Sequence, residues 1–332
     1  MKRKYGLLFS IALAFLTGCS QAATNDSATS ATNTATSSSE VVAQDAENQL
    51  VVGTFNIDIK APEIDVNQQR KLLEDAGVEI FGIQEVDQNT YRYEERAGYD
   101  PFVDFEKGPY TDSYFGMSIA IGDGGYGNGI VSEYPLKDES VTVLYGVETA
   151  PEDLQAELYD IYKASDYRNE DSMAGMMKVW GADGLVTKGA IEPRSYSRAV
   201  IEKDDKEIAF YTTHLSVESF DIRTKQLEQL KETLDADPIE YKVIVGDFNT
   251  DYGINEFNIF ADNGYNIANG HDGVWYETMA EKDSARESLD TSMTVKFLDN
   301  IIVSDNMEVL DVEVIKTDLS DHYPLVAKFA LN

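Results

Sequence analysis

Runs of mostly apolar residues that stop abruptly at polar ones recur along this chain. "LVVGTFN" (50–56), "EIFGIQ" (79–84), "AFYTT" (209–213), "VIVG" (243–246), "NIIV" (300–303) and "PLVAKFA" (324–330) are of this kind. Short apolar runs without polar alternation predict strands covered on both faces. Between the first two, Leu72, Leu73 and Ala76 predict a helix over 66–76, giving a strand–helix–strand crossover in one sheet. Residues 115–121 predict a further strand. "GDGGYGNGIVSEYPL" (122–136) predicts a Gly-rich turn, a strand and a Pro stop, and Asn128-Gly129 also fits a hairpin turn. "RSYSRAVIEKDDKEIAFYTTHLS" (194–216) predicts two strands joined at Asp204-Asp205. Leu227, Leu230 and Leu234 predict a helix over 220–235, followed by a helix near 255–263 and strands at 298–303, 308–315 and 324–330. Residues 145–193 carry the weakest pattern, although Leu154, Leu158, Ile161 and Tyr162 repeat at helical spacing. Many strands, interleaved with few helices and not regularly alternating, predict two sheets packed face to face with helices outside.

The first fifty residues follow a different pattern. "MKRKYGLLFSIALAFLTGCS" has a basic start, an apolar run from Leu7 to Leu16, and then Cys19, the only cysteine of the 332 residues. Such a segment is a secretory leader, too short for an ordinary spanning helix. Its "LTGC" resembles the lipobox of bacterial lipoproteins, which implies cleavage before Cys19 and a lipid on the Cys19 thiol. A plain signal peptide or an N-terminal anchor, either with an incidental cysteine, is the alternative. A lone cysteine excludes an intramolecular disulfide. The following Ser/Thr/Ala/Asn-rich stretch has almost no large apolar side chain, so it cannot offset its ordering entropy and reads as a tether. The expected organisation is a leader over 1–18, a tether over 19–48 and one domain over 49–332. The protein would be exported and anchored to a bacterial membrane through its N-terminal lipid alone.

The formal charge is −33. A protein gripping nucleic acid along a basic track would show the opposite sign. Either the partner is not a polyanion, or a cation absent from the sequence mediates the contact.

Candidate chemistry falls where the strands stop. Asn56 and Asp58 follow the first strand, Glu85 the second and His214 the "AFYTT" strand. Asp247 and Asn249 follow "VIVG", Asp299 heads "NIIV", and Asp321-His322 precedes the last strand. Singly, each fits turn chemistry, with the side chain bonding its own backbone. Together they predict one crowded polar site at an edge of the sheets.

Here the chain resembles the endonuclease/exonuclease/phosphatase superfamily, typified by pancreatic deoxyribonuclease. The matching stretches are "TFNID" (54–58), "GIQEV" (82–86), "YGNGIVSEYPL" (126–136), "SRAVI" (197–201), "TTHLS" (212–216), "VIVGDFNT" (243–250), "FLDNIIVS" (297–304) and "LSDHYPLVAKF" (319–329). The resemblance implies a four-layer α/β/β/α sandwich and divalent-metal-dependent cleavage of phosphate esters. A phosphate ester repels nucleophiles, so its hydrolysis needs a cation, an aimed water and a proton donor near the leaving oxygen.

By that similarity Glu85 holds the metal with help from Asn56, and Asp321 holds a second metal or adjusts the first. Mg²⁺ is the expected ion, with Ca²⁺ or Mn²⁺ as alternatives. Asp247 and Asn249 position or deprotonate the water, and His322, paired with Asp299, is the base or a charged clamp. The choice of base between Asp247 and His322 stays open. His214 donates to the phosphate or leaving group; Asn128 and Arg198 are candidate substrate contacts, each with a structural alternative. His271 has no motif around it and reads as a loop residue. One departure is Asp299-Asn300-Ile301, where many members carry Asp-Tyr-Ile. The expected partner is a phosphate ester, either nucleic acid or a small phosphodiester. A phosphorylated lipid, sugar or nucleotide is the alternative substrate, and a non-catalytic cation-binding lipoprotein the rival of another class.

Overall fold

A computed structural model of the protein describes residues 48–59, 65–146, 192–217, 220–250, 254–280 and 297–332. The expected leader, Cys19, nearly all of the tether and the helix expected around 154–162 lie outside the described residues.

Among the described residues, twelve strands form two six-stranded sheets. The first holds β1 (Gln49–Asn56), β2 (Ile80–Gln88), β3 (Asp112–Ile121), β4 (Gly124–Ser132), β11 (Met307–Val314) and β12 (Leu325–Leu331), in the order β11-β12-β1-β2-β4-β3. The second holds β5 (Lys137–Val143), β6 (Ser195–Lys203), β7 (Lys206–His214), β8 (Tyr241–Asp247), β9 (Tyr265–Ile267) and β10 (Asp299–Ser304), in the order β5-β6-β7-β8-β10-β9. The helices are α1 (Val66–Asp75), α2 (Phe102–Phe105), α3 (Phe220–Ala236) and α4 (Asn258–Ala261). β1–β2 and β7–β8 are parallel pairs, and their connections carry α1 and α3. All other strand pairs are antiparallel.

Three apolar clusters make the four layers. One fills the space between the sheets, with Leu50, Val52, Ile80, Phe210, Val243, Val245 and Ile301 among its members. A second packs the outer face of the first sheet (Phe55, Phe81, Ile83) on Val66 and Leu73 of α1 and Phe102 and Phe105 of α2. The third packs Tyr211, Ile244 and Ile302 on Leu227, Leu230 and Leu234 of α3 and Phe260 of α4. Strands buried on both faces explain why the sequence runs were continuous.

The layer between the sheets changes character along its length. On β1 the inward row runs Leu50, Val52, Thr54, Asn56; on β2, Ile80, Gly82, Gln84; on β7, Ile208, Phe210, Thr212, His214; on β8, Val243, Val245, Asp247. Every row is apolar at one end and polar at the other, because side chains two apart on a strand share a face. The polar ends all meet at one edge of the sandwich.

The fold departs from expectation in three places. The Gly-rich run is strand, not turn: β4 carries residues 124–132, the turn is at 122–123, and Asn128-Gly129 lies mid-strand opposite Gly116 and Phe115. β5 has no sequence signal, since all its residues are exposed but for the half-buried Thr142. The helix expected over 255–263 is a 3-10 turn at Ile254–Phe257 followed by the four-residue α4.

Candidate active site

The site is built from two rows of side chains facing each other across the sheets. In the second sheet His214, Asp247 and Asp299 stand in register on three adjacent strands, β7, β8 and β10. In the first sheet Asn56 and Gln84 are register partners on β1 and β2. Glu85 joins them through a bulge between Ile83 and Val86, where β2 slips against β4. It sits at φ +59°, a left-handed conformation that costs a glutamate about 1–3 kcal/mol. The bulge breaks the strand's alternation, so consecutive residues both serve the inter-sheet side: Gln84 bonds Thr212 and Glu85 meets Asn56.

Asp247 is the hub. Its Oδ2 accepts from Asn56 Nδ2 at 3.1 Å and lies 3.4 Å from His214 Nε2 and 3.6 Å from His322 Nε2. Its Oδ1 accepts the Asn249 backbone N–H at 3.0 Å. Gly246, just before it, has φ +155°, and a Cβ there would fall 2.1 Å from the Thr213 carbonyl oxygen; only glycine lets β8 lie so close to β7 at this point. Asn249, at φ +49°, turns back so that its Nδ2 donates to Leu215 O at 2.9 Å, tying the end of β8 to the end of β7. Phe248 between them is fully buried against Phe257 and Phe260.

Asn56 bridges the halves: its Nδ2 donates to Glu85 Oε1 (3.2 Å) as well as to Asp247, while its Oδ1 accepts the Asp58 N–H at 3.2 Å. Through Nδ2 Asn56 thus links two carboxyl groups, and its Oδ1, the atom the expected ligand role would use, accepts a single backbone N–H and keeps a second lone pair. Asp58 itself is buried at φ +44°. The Ser320–His322 turn closes the site. Ser320 Oγ donates to Asn56 O at 2.7 Å and accepts the His322 N–H at 3.1 Å, and Asp321 beside it is half-buried. Gln69 of α1 donates to Ile57 O (2.9 Å) and Leu319 O (2.8 Å), so one buried amide holds both loops.

The two histidines are electrostatic opposites. His322 Nδ1 lies 2.8 Å from Asp299 Oδ2. Burial opposes charge on that ring, but Asp299 and Asp247 push its pKa up to about 10. His214 is also buried; that burial, joined by the Arg194 guanidinium, pulls it down to about 4 against Asp247 and Glu85. At neutral pH His322 is therefore an imidazolium and His214 a neutral imidazole. Ligand atoms of Asp247, Asp299 and His322 lie within 4.8 Å of one another. Both ring nitrogens of His322 face carboxyl oxygens, Nδ1 that of Asp299 and Nε2, at 3.6 Å, that of Asp247. Glu85 and Asp321, which act electrostatically on His214 and His322 respectively, carry further oxygens of the hard kind that Mg²⁺, Ca²⁺ or Mn²⁺ take.

The structure thus brings together Asn56, Glu85, His214, Asp247, Asn249, Asp299, Asp321 and His322. Asn128, buried on β4, stands one step back: its Nδ2 donates to Ser195 O at 3.0 Å, linking the two sheets. Arg198 is not brought to the site. Its Nε donates to Asp237 Oδ2 (2.7 Å) and Tyr211 OH (3.1 Å), and Tyr211 belongs to the outer cluster under α3. Asn300, the departure noted above, points away from His322 and exchanges hydrogen bonds with the Asn269 backbone at 2.9 and 3.0 Å. His271 lies in an exposed 3-10 turn. Sequence reasoning missed Arg194, buried beside His214 with its Nη1 3.3 Å from Glu192, and the Gln84–Thr212 pair. The inward alternation of β2 and β7 was the signal that could have found the latter.

Residues 53–322 match the Endonuclease/Exonuclease/phosphatase family. No curated protein matches the sequence. Among solved structures, an endonuclease/exonuclease/phosphatase from Beutenbergia cavernae is 16% identical at TM-score 0.58, covering 86% of this chain and 72% of that one. D. rerio TDP2 complexed with single-strand DNA product is 15% identical at TM-score 0.55, covering 85% and 98%. A mannosyl-6-phosphatase of Bacteroides thetaiotaomicron is 16% identical at TM-score 0.50, covering 85% and 99%. At these identities the likeness is one of fold.

Proposed function

The chain belongs to the endonuclease/exonuclease/phosphatase family, and from that premise we propose that it is a divalent-metal-dependent hydrolase of phosphate esters. Nuclease or phosphodiesterase activity is the principal reading. The observation that carries it is Asp247, wedged between a charged His322 and a neutral His214 and joined through Asn56 to Glu85 of the opposite sheet.

When bound, a divalent cation supplies Lewis-acid stabilisation of the phosphate oxygens. Asp247 is the proton acceptor for the attacking water, because Asn249 N–H and Asn56 Nδ2 fix its two oxygens. His322 is the charged clamp on the phosphate: Asp299 holds the proton at Nδ1 and leaves Nε2–H to donate. His214, kept neutral by burial and Arg194, donates from Nε2 without adding a second cation. This assigns the base to Asp247, the choice that the sequence left open.

A specific observation favours a second reading on substrate size. With a net charge of −33 the protein surface repels a long polyanion, which supports a small phosphodiester, or a phosphorylated sugar, nucleotide or lipid headgroup, over tightly held DNA. The expected lipid on Cys19 would anchor the enzyme in a bacterial membrane, at the cell surface or facing the periplasm; Cys19→Ser should then release it from the membrane fraction. The deciding experiment offers plasmid DNA, RNA, bis-p-nitrophenyl phosphate, p-nitrophenyl phosphate and sphingomyelin to residues 49–332, with Mg²⁺ or with EDTA. Diester cleavage that EDTA abolishes is expected. Cleavage of monoesters alone moves the reading to a phosphatase, and activity that survives EDTA overturns it.

A further inference from the structure

The inward rows carry a second polar layer directly beneath the site. Thr54, Gln84 and Thr212 are fully buried. Gln84 Nε2 donates across the sheets to Thr212 Oγ1 at 3.0 Å and within its own sheet to Thr54 Oγ1 at 3.2 Å. Each partner stands two residues, on the same face, from a site residue: Thr54 from Asn56 and Thr212 from His214. Gln84 itself precedes the bulged Glu85. The sheets lie close together here, for a Cβ on Gly82 would fall 2.4 Å from both Thr212 Oγ1 and Val245 Cγ2.

An amide in this position needs a reason. The neighbouring inward residues Val52, Ile80, Phe210 and Val245 are apolar, and a methionine would fill the same length without a polar group to satisfy. A buried amide is costly unless partnered, and when partnered it fixes geometry that apolar packing leaves free to slide. What requires fixing is the bulge. Glu85 is out of register with β4, at φ +59°, and meets Asn56 at 3.2 Å.

We infer that Gln84 is a positioning residue whose hydrogen bond to Thr212 sets the spacing between the Glu85 half of the site, on the first sheet, and the His214–Asp247 half, on the second. The inference rests on the reading of the site as a metal-dependent phosphoesterase. Substrate charge is recognised by whichever half it meets, whereas attack needs both halves at once, so losing the link lowers kcat and spares KM.

The test compares Gln84→Met, Thr212→Val, their double variant and Thr212→Ser, which keeps the hydroxyl. Each is assayed on bis-p-nitrophenyl phosphate with Mg²⁺, titrated with Mn²⁺ by calorimetry and melted in urea. Gln84→Met and Thr212→Val should each lower kcat about ten- to a hundredfold, with KM within about twofold. The double variant should be no worse than the poorer single one, Mn²⁺ affinity should fall with kcat, and Thr212→Ser should stay near wild type. If Gln84→Met fails to fold, the Thr212 pair carries the comparison. If wild type hydrolyses no ester, the functional reading fails and the spacing claim is judged on Mn²⁺ affinity alone. Unchanged kcat and Mn²⁺ affinity in a folded variant, multiplying losses in the double, or losses that only follow the unfolded fraction overturn it.

Discussion

The two ends of the inter-sheet layer solve one problem in different ways. At the end away from the site, Glu79 and Lys203 form an ion pair across the sheets, Tyr134 OH joins both (2.6 Å to Glu79, 2.8 Å to Lys203), and Val51 N–H donates to Glu79 at 2.8 Å. Glu79 has both a cation and a hydroxyl as partners there, and the half-buried Glu133 nearby, its pKa raised by burial and by Glu79, is drawn back down by the same Lys203. At the site end Glu85, Asp247, Asp299 and Asp321 gather about the His322 imidazolium, and a second cation there, the Arg194 guanidinium beside His214, is paired with Glu192. Carboxyl groups crowded this way raise one another's energy unless a cation joins them. The difference teaches that polarity alone does not mark the functional end of the sandwich. Unbalanced charge does.

The largest expected effect breaks the site end. His322→Ala should lower turnover by about 10³-fold, within the range of acid–base and electrostatic contributions, while a urea titration still shows a folded protein. Substituting Asp299→Asn should act through His322, removing the partner that holds its proton and lowering the pH at which activity fades.

The next effect is on stability against pH, in the metal-free protein. His322 is raised from 6.5 to about 10, so the native state binds an extra proton between these values. Its stabilisation is complete below pH 6.5 and is lost as pH rises toward 10. His214 is lowered from 6.5 to about 4, so its neutral native form contributes above pH 6.5 and that contribution is lost as pH falls toward 4. Urea titrations in EDTA should therefore peak near pH 6.5 and fall on both sides, by on the order of 3 kcal/mol in each direction. A curve that keeps rising from pH 6.5 to 9 would remove the charged-His322 assignment.

A smaller effect is expected at the balanced end. Lys203→Met leaves Glu79 half-buried without its cation and should cost about 1–3 kcal/mol of stability, with turnover within about twofold of wild type. Smallest of all, Arg198→Met should leave turnover within about twofold, because its guanidinium serves Asp237 and Tyr211 on the far face of the sheet. A tenfold or greater loss in Arg198→Met would return that residue to the substrate.

The same contrast explains what the sequence revealed. "VIVGDFN" and "NIIV" were legible because burial on both faces writes a continuous apolar run, and the polar residues ending each run mark the layer's edge. β5 was illegible for the opposite reason: "KDESVTV" packs neither face fully and has no period to detect. β4 was misread in part because its glycines, which let it lie against β2 and β3, are also turn residues. Arg198 stands in a matching motif, but which face of β6 it occupies depends on register with Tyr211. Gln84 and Thr212 look like solvent-facing strand residues until the opposing sheet is in place. Composition could not separate Glu79 from Glu85 either; only their partners do.

The most direct test of the unbalanced-charge account is calorimetric titration of the metal-free protein with Mn²⁺, comparing wild type, Glu85→Gln and Lys203→Met at pH 7. The account predicts saturable binding in wild type, affinity at least about tenfold weaker in Glu85→Gln, and unchanged affinity in Lys203→Met. Equal affinity in wild type and Glu85→Gln would contradict it.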